Sequence, residues 1–152
     1  MAANFTTKTQ EALVEAQNLV IRNNQQELQP EHLIVSALLQ ADGIFEALTA
    51  QIGANKNTLS TQLQNIISKF PSVIGGGAEG KVYPSGAFNK LMVLAEDVAK
   101  KKQDEYISIE HFLLAFVKDR AFKDREAVKI LFQSGLTADK IENTLFKVFA
   151  HH

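Results

Sequence analysis

Apolar residues recur along the chain at spacings of three and four, and the same arrangement is written twice. Ala12, Leu13, Ala16, Leu19 and Val20 draw one stripe on a helix. A displacement of 79 positions, set by Glu31 and Glu110, lays Leu91, Met92, Ala95, Val98 and Ala99 on it. Under that displacement Thr6 falls on Ser85, both good N-cap residues, and Leu28 falls on Ile107. The run Leu33–Leu38 falls on Phe112–Val117. Further on, a displacement of 82, set by Gly53 and Gly135, puts Leu59 on Ile141, Leu63 on Leu145 and Ile66 on Val148. Identities are few, so the repeat is one of pattern.

Each copy reads as four helices. The first set covers about 7–24, 30–40, 44–51 and 57–70, and the second about 86–103, 109–118, 124–133 and 138–149. Pro30 suits a first helical position, where its missing N–H costs nothing. Gln29 is a mediocre cap before it, Ser108 a better one at the matching place, and Thr137 caps the last helix. Gly53 and Gly135 read as left-handed helix ends. Val73-Ile74 and Lys81-Val82-Tyr83 can be extended but are too short to build a sheet. One unit cannot bury its own apolar surface, so two units packed pseudo-symmetrically are expected. The expected fold is all-α, about eight helices in one compact domain over 1–150. Repeat one runs over about 5–70, a Gly- and Pro-rich linker over 71–85, and repeat two over 86–150. His151-His152 reads as a tag remnant.

Composition narrows the chemistry. With 152 residues, 45% hydrophobic and 22% charged, the chain is long enough and apolar enough for a sizeable core. It has no Cys, which removes disulfides, thiol nucleophiles and thiolate zinc sites. No apolar run approaches the roughly 18 residues of a membrane span, and Met1–Phe5 lacks the character of a secretory signal. A cytoplasmic location is expected, without membrane contact. Residues 1–74 hold 4 basic and 6 acidic side chains, and residues 75–152 hold 12 and 11. That balance leaves no basic face for nucleic acid. The one basic run, Lys100–Lys102, sits at an expected helix end, where cations complement the dipole.

Three segments look chemical at first sight. Gly75–Val82 approaches a phosphate-binding loop, but position 82 is Val where Ser or Thr would ligate magnesium, and Pro84 prevents a helix directly after. The stretch therefore reads as linker. His32 and His111 each follow a Glu and lead into an apolar run, yet neither has a second His four residues away. They read as capping or packing residues rather than metal ligands. No Ser or Thr sits in a nucleophile elbow, and the carboxylates lie on helix surfaces without evident pairing. Comparing the copies gives a different lead. Leu94 falls on Glu15 and Phe88 on Thr9, so the second copy is apolar where the first is solvated. Those residues either pack between the units or line an exposed groove for apolar segments.

Four segments together, in order along nearly the whole chain, resemble the N-terminal domain of Clp-type AAA+ unfoldases, and most of all their ClpB disaggregases. They are Phe5–Leu13, Glu31-His32-Leu33 through Leu39, Phe70-Pro71-Ser72-Val73 with its Gly-rich linker, and Asp104–His111. The resemblance implies a double Clp repeat. It implies a mobile, non-catalytic module that engages unfolded or aggregated polypeptide and hands it to a hexameric ATPase ring. ATP and magnesium would belong to ATPase modules outside this sequence, so no cofactor and no metal are expected here, and the isolated domain would be a monomer. The resemblance also implies substrate-binding residues. The polar set is Thr6, Asp104 and Glu110; an apolar groove nearby takes Leu94 and Val98, with His111 at a position that is apolar in some relatives. Each has a plain structural role as well. Thr6 can cap a helix, Asp104 can order a turn, Glu110 can complement a helix dipole, and Val98 lies on the stripe shared by both copies. Two further readings stand beside direct capture of clients: an adaptor-docking domain, as in ClpA- or ClpC-like chains, and a free-standing helical regulator. An enzyme would require a pocket of clustered titratable residues.

Overall fold

The computed structural model describes residues 4–73 and 81–146. The Gly-rich centre of the expected linker, the last turn of the expected eighth helix with Val148, and the terminal His pair lie outside the described residues. Repeat one contains α1 (Thr7–Arg22), α2 (Pro30–Leu38), α3 (Ile44–Ile52) and α4 (Lys56–Ser68). Repeat two contains α5 (Gly86–Lys101), α6 (Ile109–Lys118), α7 (Glu126–Gln133) and α8 (Ala138–Ile141), and α8 widens into a π-helical turn over Glu142–Phe146. A short 3-10 turn, Arg120–Phe122, precedes α7, which starts at Glu126 rather than at the expected position of about 124.

The caps follow the sequence. Thr6 and Ser85 accept the N–H of Thr9 and of Phe88, and Thr137 accepts that of Lys140. Gly53 and Gly135 adopt φ of 74° and 98°, the left-handed ends that the sequence predicts. α2 and α6 are central. Every residue of α2 is buried, as are eight of the ten of α6, in keeping with helices that are apolar on nearly all sides. α1 packs on α2 and α5 on α6, while α4 packs on α7 and α3 on the π-turn, so the repeats interlock across one continuous core.

The two repeats also exchange backbone. Glu27–Leu28 (β1) pairs in parallel with Tyr83–Pro84 (β2), and Phe5 forms the matching bridge with Ile107. Tyr83 and Ser85 donate to the carbonyls of Gln26 and Leu28 at 3.0 Å, and Thr6 donates to that of Ile107 at 3.1 Å. The segment before each repeat's first helix thus pairs with the segment before the other repeat's second helix. The displacement of 79 maps Phe5 on Pro84 and Leu28 on Ile107, so the exchange is two-fold in its pairing. Asn24 and Gln103, again 79 apart, both take left-handed φ, 56° and 60°.

Two expectations need correction. Lys81–Tyr83 reads as extended but too short to build a sheet, yet Tyr83–Pro84 forms a two-stranded sheet with Glu27–Leu28, because its partner already lies alongside and two ladder bonds suffice. Thr9 is not solvated: it is fully buried, its hydroxyl 2.7 Å from that of Thr6. Its counterpart Phe88 is buried as well, so this pair marks core packing rather than a groove.

Candidate functional site

The two repeats place a histidine in the same way at the helix starts of α2 and α6. At α6 the His111 Nδ1 accepts the N–H of Ser108 at 2.9 Å, which leaves the ring proton on Nε2 to be donated to Asp104 Oδ2 at 2.8 Å. Three residues into α2, His32 does the same: Nδ1 accepts the N–H of Gln29 at 2.9 Å, and Nε2 faces Gln25 Oε1 at 2.8 Å. Both rings satisfy an orphan N-terminal donor of their helix. His32 is fully buried, and desolvation lowers its pKa from 6.5 to about 4. Each ring is covered by a phenyl group, His32 by Phe70 with centroids 5.7 Å apart and His111 by Phe146 at 5.9 Å.

The surroundings of the two imidazoles then diverge. Around His111 an open cleft of about 610 Å³ is lined by Thr6, Asp104, Tyr106, Ser108, Glu110 and Phe146, among others. The equivalent place in repeat one holds only about 100 Å³. There Gln25 is buried and donates to the carbonyls of Ile67 (2.7 Å) and Phe70 (3.4 Å). Pro71–Val73 lines the space, and Val73 donates to the carbonyl of Asn24. The carboxylate of Asp104, half-exposed, stands where the buried amide of Gln25 would be.

A second open cleft, about 620 Å³, lies along α5 and α6. Leu94, Val98, Leu114 and Ala115 give it an apolar floor, and Lys100, Lys101, Lys118 and Arg120 lie around it with Asp97 and Asp119. Lys102 separates the two clefts and lines both. Its Nζ lies 2.8 Å from Glu142 Oε2 and 4.2 Å from the centre of the Phe146 ring, an ion pair and a cation–π contact in one bridge.

The profile of the Clp repeat (R) N-terminal domain matches residues 4–145. The chain belongs to the Clp N-terminal repeat family. This Clp N-domain is 37% identical over 145 residues to the chaperone protein ClpB of Bacillus anthracis, covering 95% of this chain and 16% of that one. It is 41% identical over 117 residues to ClpB of Bacillus cereus, covering 76% of this chain and 14% of the relative. It therefore spans about a sixth of the length of these relatives. Its fold matches the N-terminal domain of Hsp104 from Candida albicans with a TM-score of 0.79 at 18% identity, covering 98% of this chain and 93% of that one. The all-α architecture of two Clp repeats is shown.

Within this Clp N-domain the six predicted residues do not share one groove. Thr6, Asp104, Glu110 and His111 line the polar cleft, whereas Leu94 and Val98 line the apolar one. His111 is buried beneath Phe146 and lies away from the apolar floor, so its polarity does not weaken that floor. Leu94 and Val98 are half-buried, packed against the core and still reachable. Sequence reasoning missed Tyr106, the exposed wall of the polar cleft, and Lys102, whose partner Glu142 lies 40 positions away.

The Ser108 hydroxyl lies 3.0 Å from His111 Nδ1, so Ser108, His111 and Asp104 form a line resembling a catalytic triad. Repeat one builds the same imidazole arrangement with Gln29 and Gln25, which carry neither nucleophile nor carboxylate. In both repeats the Nδ1 lone pair accepts a backbone N–H, which makes it a poor general base. The geometry is that of helix capping.

Among the described residues there is no group of three His, Cys, Asp or Glu placed to hold a metal ion, and no helix is long and apolar enough to cross a membrane.

Proposed function

We propose that this Clp N-domain is the non-catalytic client-binding module of a ClpB-like, ATP-dependent disaggregase. In this reading it captures unfolded or aggregated polypeptide at the two clefts of repeat two and passes it to a hexameric cytoplasmic ring. ATP and magnesium act in the ring's ATPase modules, and this domain needs no cofactor of its own. The observation that carries the reading is the difference between two repeats of one fold. The space beside His32 is filled by the chain's own Gln25 and Pro71–Val73, while the space beside His111 is open at about 610 Å³ and adjoins a second cleft with an apolar floor. Among the described residues, the same imidazole arrangement is covered in one repeat and open in the other.

The energetics fit a module that must release what it binds. An apolar side chain seated on Leu94, Val98 and Leu114 gains roughly 25 cal/mol per Å² buried, from which ordering the client subtracts. Affinities on the order of 0.1–1 mM per contact segment follow, with little sequence preference. In this account Thr6, Asp104 and Glu110 supply hydrogen-bond acceptors to the client, Leu94 and Val98 supply apolar area, and His111 holds Asp104 in place.

Fluorescence anisotropy of a labelled, permanently unfolded protein, titrated with this domain, tests the reading. Saturable binding that Leu94→Asp weakens without loss of helicity is expected. Absence of binding up to about millimolar domain would overturn direct capture.

A second reading, docking of a folded adaptor, is favoured by the cations around the apolar floor, Lys100, Lys101, Lys118 and Arg120, which suit an acidic protein surface. Strong salt dependence and preference for a folded acidic partner would mark it.

A further inference from the structure

Repeat two carries a link that repeat one lacks, and it stands where the two clefts meet. Lys102 closes α5 as its C-cap, and its side chain reaches the π-helical turn that follows α8. Nζ donates to Glu142 Oε2 at 2.8 Å and lies 4.2 Å from the centre of the Phe146 ring, which in turn lies against His111. The displacement of 79 carries Lys102 back to Asn23, and that of 82 carries Glu142 to Ser60 and Phe146 to Gln64. There no such link forms. Asn23 donates to the carbonyl of Leu19 at 2.8 Å, and Gln64 donates to the Ser60 hydroxyl at 2.7 Å. α4 runs through Lys56–Ser68 as a regular helix, and His32 is covered by Phe70 from beyond its end. The π-turn is where the repeats part, and it carries both residues that Lys102 meets; wide turns of this kind are rare and cluster at functional sites. The link is also weaker than the pair that ties the repeats together. In that pair the Arg125 Nε donates to Glu31 Oε2 at 2.7 Å, and Nη2 donates to Glu31 Oε1 at 2.9 Å and to Gln29 Oε1 at 3.1 Å, with Glu31 buried. Lys102 and Glu142 share one bond, and their side chains are 28% and 32% exposed. An ion pair so placed, with its cation–π contact, favours the closed position by about ten-fold, and salt screens the first of the two.

We propose that Lys102, Glu142 and Phe146 form a clasp that decides how long a segment of client the domain takes. Closed, the Lys102 side chain stands between the polar and the apolar cleft, and each takes a short segment by itself. Open, with Nζ turned into solvent, the clefts of about 610 and 620 Å³ join across the end of α5. One extended chain then runs from the floor of Leu94 and Val98 past Phe146. The affinity for such a long segment is reduced by the fraction of the domain that is open, about one part in ten, whereas a short segment binds either state. That the clefts hold client rests on the proposed function; the clasp itself rests on the comparison of the repeats.

The test uses the whole chain and two fluorescein-labelled peptides of Leu, Thr and Gln, about five and about twelve residues long, or about 17 and 40 Å when extended. The peptide residues carry no charge, so a changed charge on the protein does not act on them directly. Anisotropy is read for the parent, Glu142→Gln, Lys102→Ala and the double variant Lys102→Cys/Glu142→Cys, free and bridged by a bis-maleimide. The sequence has no other Cys, so the bridge is unique. The long peptide should bind about five- to ten-fold tighter to Glu142→Gln and Lys102→Ala than to the parent, and the short one within about two-fold in all. Bridging should weaken the long peptide at least about five-fold against the unbridged form. Raising salt from about 0.05 to about 0.5 M should bring the parent toward the open variants. Without any peptide, the His111 ring protons should shift in both single variants as Phe146 is released, while those of His32 beneath Phe70 stay in place. Should Lys102→Ala lose helicity, Glu142→Gln carries the comparison. Equal changes for the two peptides, or an unchanged affinity for the long one, would overturn the clasp. Unmoved His111 protons with peptide binding intact would sink the clasp and leave client capture standing. No binding of either peptide by any of the proteins would overturn client capture, and the clasp's part in it, even with the His111 shift present.

Discussion

Removing Arg125 should uncouple the repeats more than any other single surface-side substitution. The Glu31 side chain is only 3% exposed and receives two of the three guanidinium bonds, and Arg125 is 27% exposed. Arg125→Ala leaves a nearly buried carboxylate without its counter-charge, and breaking such a pair costs about 3–5 kcal/mol. Partial exposure of the guanidinium admits water to the vacated side, so the expected loss is nearer 2–4 kcal/mol. For a domain of this size 1 kcal/mol moves the melting temperature by about 2–4 °C, so a fall of about 4–16 °C is expected. The assay is urea unfolding of four proteins: the parent, Arg125→Ala, Glu31→Gln and the double variant. The double variant should recover at least about 1 kcal/mol relative to the sum of the singles, because the uncompensated charge is gone. A loss below about 0.5 kcal/mol, or strict additivity, would refute the argument. The pair would then be a solvated contact.

The other predictions concern single groups. His32 is held neutral by burial, with its pKa lowered from 6.5 to about 4. Its stabilising effect is complete above pH 6.5 and is lost as pH falls toward 4, about 3 kcal/mol in all, because the unfolded chain takes up the proton first. Urea unfolding at pH 7 and pH 4.5 measures this, and a flat profile in that window would contradict it. Thr6→Ala removes the cap of α1 and the Thr9 partner and should cost about 1 kcal/mol by thermal unfolding, whatever it does to binding. Gly53→Ala forces a side chain into φ of 74° and should cost about 1 kcal/mol, although nothing lies within 4 Å of the new Cβ. Leu94→Asp, by contrast, should stay within about 1 kcal/mol of the parent, since Leu94 is only half-buried.

Much of the fold was legible because its signals are local. Apolar spacing, N-cap residues and the two glycines each act within one helical turn, and from α1 to α7 they mark helix ends to within two residues, whereas α8 gives way to the π-turn after Ile141. The pairing of Phe5 with Ile107 and of Glu27–Leu28 with Tyr83–Pro84 was not legible. Two-residue strands carry no periodicity, and the exchange emerges only once both helix pairs are packed. The burial of Thr9 was misread because a hydroxyl bonded to the preceding cap satisfies itself inside the core. At the site, residue types were legible through the resemblance, but their division into two clefts depends on Lys102 meeting Glu142 and Phe146 across the α5–α6 seam. The salt bridge of Glu31 joins residues 94 positions apart, and the repeat gave no hint of it, since the matching residue to Arg125 is a glycine.

Where an unfolded chain touches this domain is the question on which the account turns, and amide NMR shift mapping with a permanently unfolded client answers it. The account predicts that shifts cluster around the clefts of repeat two, at Thr6, Leu94, Val98, Tyr106 and Leu114. It predicts silence at the filled counterpart around Gln25 and Val73. Shifts of equal size at both places, or confined to exposed apolar residues of α1 such as Val14 and Ile21, would contradict it.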